Sequence, residues 1–380
     1  MAISIGSIAS EWRCWCPGLV PSRPITTQRS RARATAEIVR SALVQELSSR
    51  PDSNAAASRP RRRDALWLAL LLLASLTLLT DRAAAAEQVD PTPRIAIISA
   101  YTPEWLALKN AMSATRTEII ADVTYIVGRL EGKDVVLFLS GVSMVNAAMT
   151  TQGAIDHFKI RRIVFSGIAG GINPSLSPGD VVVADRWSEY LESVFARKDG
   201  SGWSIPNWLG KTLPNYGMIF PRAVGIAHPR EREPEKRFWF DVDPTMLEIA
   251  RSVGPKVELK ACLNRDVCGT TRPRVVVGGA GVSGPAFIDN AEFRKWIYDT
   301  FKASLVDNES APVAHVAYSN HIPFIAFRGL SDLAGGDAGE NTENELEHLA
   351  SDNAAAVVKA FLRALPAQES PENRSSEGSK

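Results

Sequence analysis

The sequence predicts an α/β domain in which a mostly parallel or mixed sheet is covered by helices. Short apolar runs rich in β-branched residues alternate with segments of helical character, and most of these runs end in glycine-rich or polar loops. The run 323–329 is the most apolar, and Arg328, Ser331 and Asp332 lie at its end. In open α/β sheets, ligands bind at the carboxyl ends of strands. These residues therefore form either a candidate ligand site at that edge or a helix cap.

Seven runs are predicted to be strands because they are apolar and rich in β-branched or aromatic residues. They cover residues 94–100, 125–130, 134–139, 162–165, 179–184, 274–277 and 323–329. The second and third form a hairpin around Gly132. Helices are predicted from Val145 onward, over 243–253 and 292–301, and from about Glu309.

Three further segments are predicted to lack regular structure. Residues 166–171 and 278–290 are rich in glycine, which lets the backbone approach a ligand closely. Neither a dinucleotide fingerprint nor a P-loop is present in 166–171. Residues from about 190 to 237 form a long insertion with Trp203, Trp208 and several Pro and Gly. It is either a lid over a site or an excursion that its aromatic side chains attach to the main body.

The N-terminal part differs in composition from the rest. Residues 1–63 are rich in Arg, Ser, Ala and Pro and predict a disordered leader; a start codon downstream and a transit peptide are alternatives. Residues 64–86 match a signal peptide, because their apolar core of 16 residues is short for a membrane span. We expect an exported protein, periplasmic or secreted, with an uncleaved membrane anchor as the alternative. The folded domain covers 87–365, and 366–380 is a polar, disordered tail.

Charge, histidine spacing and cysteine content limit the classes of ligand, metal site and cellular compartment that we expect. The chain has 43 basic and 42 acidic side chains. This near-neutral balance does not indicate a positive electrostatic potential that would attract nucleic acid, so a small-molecule ligand is expected. The five His are scattered without ligand spacing, so we predict no metal site and no cofactor. In an exported protein Cys262 and Cys268 predict a disulfide, whereas in the cytosol they would be two free thiols.

Three carboxylates, Glu104, Glu309 and Asp332, lie near predicted strand ends, together with Arg328 and with Phe287 in a glycine-rich segment. One acid that protonates a leaving group and one base that activates water are what hydrolysis of a glycosidic bond requires. An aromatic ring that stacks on a flat base would make that bond an N-glycosidic one.

Two of these acids, Glu104 and Asp332, also have an ordinary structural explanation. Thr102 and Pro103 are typical of an N-cap and a first helical residue, so Glu104 lies in a first turn, where the helix dipole stabilises acids. Ser331 and Asp332 are good N-cap residues as well. These residues alone therefore do not distinguish a site from helix caps.

Six motifs in this order resemble the nucleoside phosphorylase superfamily, and within it the methylthioadenosine/S-adenosylhomocysteine nucleosidases. They are 97–100 with Glu104, 166–171, 179–183, 282–288, 307–311 and 328–332. The cysteine pair, 287–290 and 330–336 are also similar to exported plant bark storage proteins. The resemblance covers about 94–365. It implies a phosphorylase-like three-layer α/β sandwich with a central mixed β-sheet, a purine nucleoside as ligand, and a homo-oligomer.

The resemblance implies a role for each candidate catalytic residue. Asp332 would protonate N7 of the purine, Glu104 would act as general base on the attacking water, and Arg328 would orient that water. Glu309 would bind the ribose hydroxyls while the sugar becomes oxocarbenium-like. To donate a proton, Asp332 must be neutral, so we expect burial or a neighbouring acid to raise its pKa.

The substrate contacts implied by the resemblance include two departures from the family pattern. The implied contacts are Phe287 stacking on the base, the Ile288 backbone at the base edge, and Val142, Ile168, Asn308 and Ser331. Ile168 stands where a hydroxyl residue is usual, and Asn308 replaces the Met that packs under the ribose. Both changes concern the sugar side and leave the substrate and the turnover open.

Two alternatives to a nucleosidase remain at this point. Phosphorylases carry a phosphate-binding Arg after the first strand, but residues 101–109 contain no Arg, which favours water over phosphate. A non-catalytic nucleoside-binding or storage protein on the same fold is the other alternative, since fold does not fix function. The retained acids Glu104, Glu309 and Asp332 favour an enzyme, because buried unpaired acids are costly to keep.

Overall fold

The computed structural model describes residues 88–210, 212–227, 232–269, 271–337 and 339–366. The predicted leader 1–63, the predicted signal segment 64–86 and the tail beyond residue 366 lie outside the described residues. Within the described residues, every helix is too short or too polar to cross a membrane.

Eighteen strands lie in the described residues, and twelve of them form one mixed sheet. In chain order they are β1 (Asp90–Ser99), β2 (Ser113–Ile120), β3 (Val123–Leu130), β4 (Lys133–Leu139), β5 (Phe158–Gly171), β6 (Val181–Val183), β7 (Arg186–Glu189), β8 (Ser193–Phe195), β9 (Arg197–Asp199), β10 (Gly202–Ser204), β11 (Ile219–Pro221), β12 (Val224–Ile226), β13 (Glu235–Arg237), β14 (Phe240–Asp241), β15 (Val275–Val277), β16 (Ala280–Ser283), β17 (Ala303–Asp307) and β18 (Phe324–Asp332).

Strand β5 organises the large sheet. The main path runs β14, β7, β16, β17, β5, β1, β4, β3, β2, while β18 joins β5, β6 joins β18, and β15 joins β6. β5 is parallel to β1 and to β18, with Ile163 opposite both Ala96 and Phe324. Its last two glycines pair antiparallel with β17. The carboxyl ends of β1, β5 and β18 therefore meet at the same edge of the sheet.

Six helices lie in the described residues and cover both faces of the sheet. They are α1 (Thr102–Lys109), α2 (Met144–His157), α3 (Pro244–Val253), α4 (Ala291–Phe301), α5 (Ser310–Ser319) and α6 (Glu343–Ala364), with 3-10 turns at Asn207–Leu209 and Gly254–Lys256. Helix α6 packs on α1, α3 and the central strands, whereas α2 packs on α5 and also contacts β5. Two helical layers thus enclose the sheet, which confirms the predicted three-layer α/β sandwich with a central mixed sheet.

Local sequence signals explain the elements that were predicted correctly. Residues 95–98 of β1 are a continuous apolar run because a parallel strand is buried on both faces, and Ile95, Ile97 and Ile98 are buried. The predicted hairpin is formed by β3 and β4, joined by Glu131 and Gly132, both of which have positive φ. Helix α3 spans Pro244–Val253, close to the predicted range 243–253. Its N-cap is Asp243, whose Oδ1 accepts from the Met246 amide at 2.9 Å.

Two glycine-containing stretches that were predicted to end strands instead continue them. The predicted strand 323–329 extends to Asp332, because Gly329 does not turn; it lets helix α6 approach, and a Cβ there would collide with the Ala350 carbonyl. The predicted loop 166–171 is the C-terminal half of β5, in which Gly167 pairs with Arg328. The functional residues predicted to lie in a loop after the strand are therefore within β18 itself.

Other elements also differ from the sequence-based assignment. β16 lies inside the predicted loop 278–290 and pairs in parallel with β7 and β17. The insertion 190–237 contains β8 to β13, paired in three small antiparallel sheets, so the expectation of little regular structure was wrong. These strands have only three residues each, too few to show an alternating pattern. Strand β2 and helix α6 were not predicted at all.

Candidate active site

Glu104 is held at the end of β1 by the first turn of α1. The N-cap of this helix is Tyr101, not Thr102 as predicted, and Glu104 is the third helical residue. Its Oε2 accepts from the Ala100 amide at 2.5 Å, and its Oε1 accepts from the Ile168 amide of β5 at 2.8 Å. The carboxylate is therefore fixed between two neighbouring strand ends, and only 2% of Glu104 is exposed.

Arg328 lies at the centre of the site and is fully enclosed, with 0% of its surface exposed. Its guanidinium is 4.0 Å from the centre of the Phe165 ring. Three carboxylates surround it: Asp307 at 2.8 Å from Nε, Glu309 at 3.4 Å from Nη2, and Glu104 at 3.5 Å from Nη1. One buried cation therefore forms ion pairs with three buried acids.

Asp307 is a member of this cluster that the sequence reasoning did not assign to the site. Its Oδ1 accepts from the Ser283 hydroxyl at 2.5 Å and from the Ser310 amide at 3.1 Å. Its Oδ2 faces Nε of Arg328 without an aligned hydrogen bond, because Nε donates to the Ser310 hydroxyl at 2.9 Å. An acid that ends an apolar strand, two residues before Glu309, is the sequence signal that was available.

Burial shifts the proton affinity of the carboxylates in this cluster. Burial raises the pKa of Glu104, while Arg328 and the backbone amides that Glu104 accepts from act in the opposite direction. Burial raises the pKa of Glu309 to about 8; Arg328 opposes this shift, and Asp307 and Glu104 add to it. Burial alone would lower the pKa of Arg328, but its three carboxylate partners raise it instead. Burial therefore favours the protonated form of Glu309, whereas its three carboxylate partners favour the charged form of Arg328.

Asp332 ends β18 on the other side of the same site and is 2% exposed. Its Oδ1 accepts from the Ala334 amide at 2.7 Å, and its Oδ2 lies 2.8 Å from the Ser331 hydroxyl. Burial raises the pKa of Asp332, although these two hydrogen bonds oppose the shift, and the nearby Asp337 adds to it. The expectation that burial raises this pKa agrees with the structure.

A cavity of about 150 Å³ opens between these groups. Nine of the ten residues predicted for catalysis and substrate binding line it: Glu104, Val142, Ile168, Phe287, Ile288, Asn308, Glu309, Ser331 and Asp332. The tenth, Arg328, lies behind the wall. Phe287 and Val142 are more than half exposed, so they form the mouth, whereas Glu104, Glu309 and Asp332 form the floor.

The side-chain amide of Asn308 donates hydrogen bonds within the protein. Its Nδ2 donates to the carbonyls of Gly284 at 2.5 Å and of Ala286 at 3.2 Å. Asn308 therefore fixes the segment that carries Phe287 and Ile288. On the opposite wall, Oε1 of Glu309 accepts from the Ser143 amide at 2.8 Å, which connects the start of α5 to the residue before α2.

The predicted cysteine pair lies apart from this cavity. Cys262 and Cys268 form a disulfide with an S–S distance of 2.02 Å. Among the described residues, no group of three or more His, Cys, Asp and Glu side chains is arranged to hold a metal ion.

Comparison with known proteins agrees with this geometry. Residues 94–365 match the family model described as the phosphorylase superfamily. A methylthioadenosine/S-adenosylhomocysteine nucleosidase of Mycobacterium bovis is 25% identical over 275 residues, which cover 72% of this chain and 96% of the relative. The resemblance to plant bark storage proteins stays a prediction.

Two solved structures are similar to the fold. The S-adenosylhomocysteine nucleosidase of Streptococcus pyogenes, in complex with 5-methylthiotubericidin, has a TM-score of 0.54 and 25% identity, with 73% of this chain and 100% of that chain covered. The futalosine hydrolase of Helicobacter pylori has a TM-score of 0.53 and 20% identity, with 72% and 98% covered. Because the family model matches well over half of its residues, this chain belongs to the phosphorylase superfamily.

Proposed function

We propose that this protein is a nucleosidase that hydrolyses the N-glycosidic bond of methylthioadenosine, S-adenosylhomocysteine or related purine nucleosides. The composition of the cavity wall carries this proposal. Five carboxylates line the cavity, and the described lining residues include no Lys, Arg or His. The nearest cation, Arg328, is enclosed and already pairs with three acids. Such a site favours a cationic, oxocarbenium-like transition state and disfavours an anionic co-substrate.

Asp332 is the proposed general acid. In its protonated form it donates to N7 of the purine, and the electron pair of the bond between C1′ and N9 then leaves with the base. Because burial raises its pKa, Asp332 stays neutral to a higher pH than an exposed aspartic acid does. The rate should therefore fall as the pH rises through this pKa.

Glu104 is the proposed general base. It accepts a proton from water while the water oxygen forms a bond to C1′ of the sugar, so that the products are free base and ribose with a C1 hydroxyl. Arg328 is enclosed and acts on the water through Glu104, which it holds in place together with the amides of Ala100 and Ile168. This positioning role replaces direct contact of Arg328 with the water.

The remaining residues bind the nucleoside in this proposal. Phe287 stacks on the base, and the Ile288 backbone faces the base edge, on the segment that Asn308 fixes. Glu309 binds the ribose hydroxyls of the sugar that becomes cationic. The fold does not select one nucleoside, since it is shared with proteins named for different substrates.

Export and self-association also belong to the proposal. A signal-like segment at 64–86 and the disulfide of Cys262 and Cys268 support an exported protein. Val145 and Met149 are 77% and 64% exposed on one face of α2, beside the cavity mouth at Val142. This apolar face supports a homo-oligomer, which light scattering of the purified protein would test by giving a mass above that of one chain.

The main experiment is release of free base from methylthioadenosine, adenosine and inosine, with and without phosphate, with Asp332→Asn as the inactive control. We expect release that does not require phosphate and a sharp loss in the variant. Release that depends on phosphate would instead support a phosphorylase, and binding of adenine without any release would support the non-catalytic alternative.

A further inference from the structure

One carboxylate of the cavity wall has no role in the reaction proposed above. Glu343 is the first residue of α6, is partly buried and lines the cavity together with Tyr101 and Glu104. Its side chain has no hydrogen-bond or ion-pair partner among the described residues. A half-buried carboxylate without a partner is unfavourable unless a ligand provides one.

The backbone around Glu343 is fixed to the catalytic strand. The Thr342 hydroxyl donates to the Ser331 carbonyl at 2.8 Å, and the Asn341 amide group lies 3.4 Å from Oδ1 of Asp332. The amide of Glu343 in turn donates to Oδ1 of Asn341 at 2.9 Å. The first turn of α6 is thus attached to the end of β18, which holds the Glu343 carboxylate at the cavity wall.

The surroundings of Glu343 are acidic. Burial raises the pKa of Glu343, and the charges of Asp332, Glu347 and Glu104 raise it further. Glu347 already accepts from the Tyr101 hydroxyl at 2.8 Å. The Tyr101 donor is therefore not free for Glu343, and the described cavity lining offers no cation. The missing donor has to come from a bound molecule or from water.

The part of the substrate that faces Glu343 follows by elimination and rests on the proposed function. In the proposed function, Asp332 and the segment that carries Phe287 contact the base. Glu309 binds the 2′ and 3′ hydroxyls, and Glu104 contacts the attacking water. The 5′ substituent is the remaining group of a nucleoside, and Glu343 is the remaining polar side chain without a partner.

We propose that Glu343 and Tyr101 form the subsite for the 5′ substituent. In this subsite Glu343 selects nucleosides whose 5′ group carries a hydrogen-bond donor, such as a hydroxyl or an ammonium, over those with an apolar thioether. A site that is built to bind a donor rejects the analogue that lacks it, because the polar group of the site is then left unpaired.

The test compares kcat/KM for three substrates: adenosine, 5′-amino-5′-deoxyadenosine and methylthioadenosine. The wild-type protein should prefer the two donor substrates. Glu343→Leu should shift the ratio of donor substrate to thioether toward the thioether by about tenfold or more. Glu345→Leu is the matched control, because Glu345 is exposed on the same helical turn, and its ratio should equal that of the wild type.

Two outcomes would overturn the inference. One is a ratio that does not change in Glu343→Leu. The other is an equal loss for all three substrates, which would mean that Glu343 acts through Asp332 or through the fold. If the wild type releases no base from any substrate, the proposed function fails separately. Dissociation constants for the same three nucleosides, measured by calorimetry, then test the subsite. The ratio of affinities for donor nucleoside and thioether should shift toward the thioether in Glu343→Leu, as expected for kcat/KM.

Discussion

The charge balance around Arg328 leads to a quantitative prediction. Arg328→Gln removes the cation that pairs with Asp307, Glu104 and Glu309, the one cation that these acids have among the described residues. At the 2.8 Å separation from Asp307, one pair alone has a Coulomb energy of about 6 kcal/mol at an effective dielectric of 20. Desolvation of the guanidinium offsets much of this attraction, and breaking a buried pair typically costs about 3–5 kcal/mol. Because three acids lose the same partner, we expect the free energy of unfolding to fall by an amount near the upper end of this range.

The assay is urea unfolding of the wild type and the variant at pH 5 and pH 8. The free energy of unfolding that Arg328→Gln loses should be larger at pH 8 than at pH 5, because protonation of the acids at the lower pH removes the unpaired charges. Arg251→Gln is the control: Arg251 pairs with Glu248 on the surface, where the expected loss is about 0–1 kcal/mol. A loss in Arg328→Gln as small as that of the control, at both pH values, would refute the described cluster.

Three further predictions concern packing, pH and catalysis. Gly329→Ala should destabilise the fold by about 1–3 kcal/mol in urea unfolding, because its Cβ meets the Ala350 carbonyl, whereas Gly339→Ala, with open space around it, should be nearly neutral. The pKa of Glu309, about 8 in the folded protein, lies above its ordinary value of 4.5, so the folded state binds more protons and its stability should fall from about pH 5 to pH 8. Glu309→Gln should reduce that slope; an unchanged slope would contradict the assignment. Glu104→Gln should lower kcat by about 10²–10⁴, and it should also lower the unfolding midpoint, because one of the two backbone amides that Glu104 accepts from loses its acceptor. A folded variant with full activity would exclude Glu104 as the base.

Residues with strong local signals were predicted well from the sequence. The apolar run of β1, the hairpin of β3 and β4, and the range of α3 each depend on neighbours in the chain. The glycines of β5 were misinterpreted because their role is not local. A side chain at Gly167 would occupy the space of Arg328 and Glu104, so this glycine makes room for the site within an extended strand.

The assembled site was predictable only in part. The resemblance selected nine residues that line one cavity, because motif residues at strand ends converge in this fold. The partners of each acid were not predictable, since Asp307, Glu104 and Glu309 come to Arg328 from separate elements. The enclosure of Arg328 likewise depends on how α5 and β5 pack around it, through Ser310 and Phe165. The place of the Glu343 carboxylate, which has no partner among the described residues, depends on how α6 packs on β18. No local pattern encodes these contacts.

The central claim is that water, not phosphate, attacks C1′ in this cavity. The most direct measurement is hydrolysis of a purine nucleoside in ¹⁸O-labelled water with phosphate present, followed by mass spectrometry of the released sugar. We expect one ¹⁸O atom at C1 of the free sugar and no sugar phosphate. A sugar 1-phosphate without label would contradict the account, because it would require an anion to bind against the five carboxylates that line the cavity.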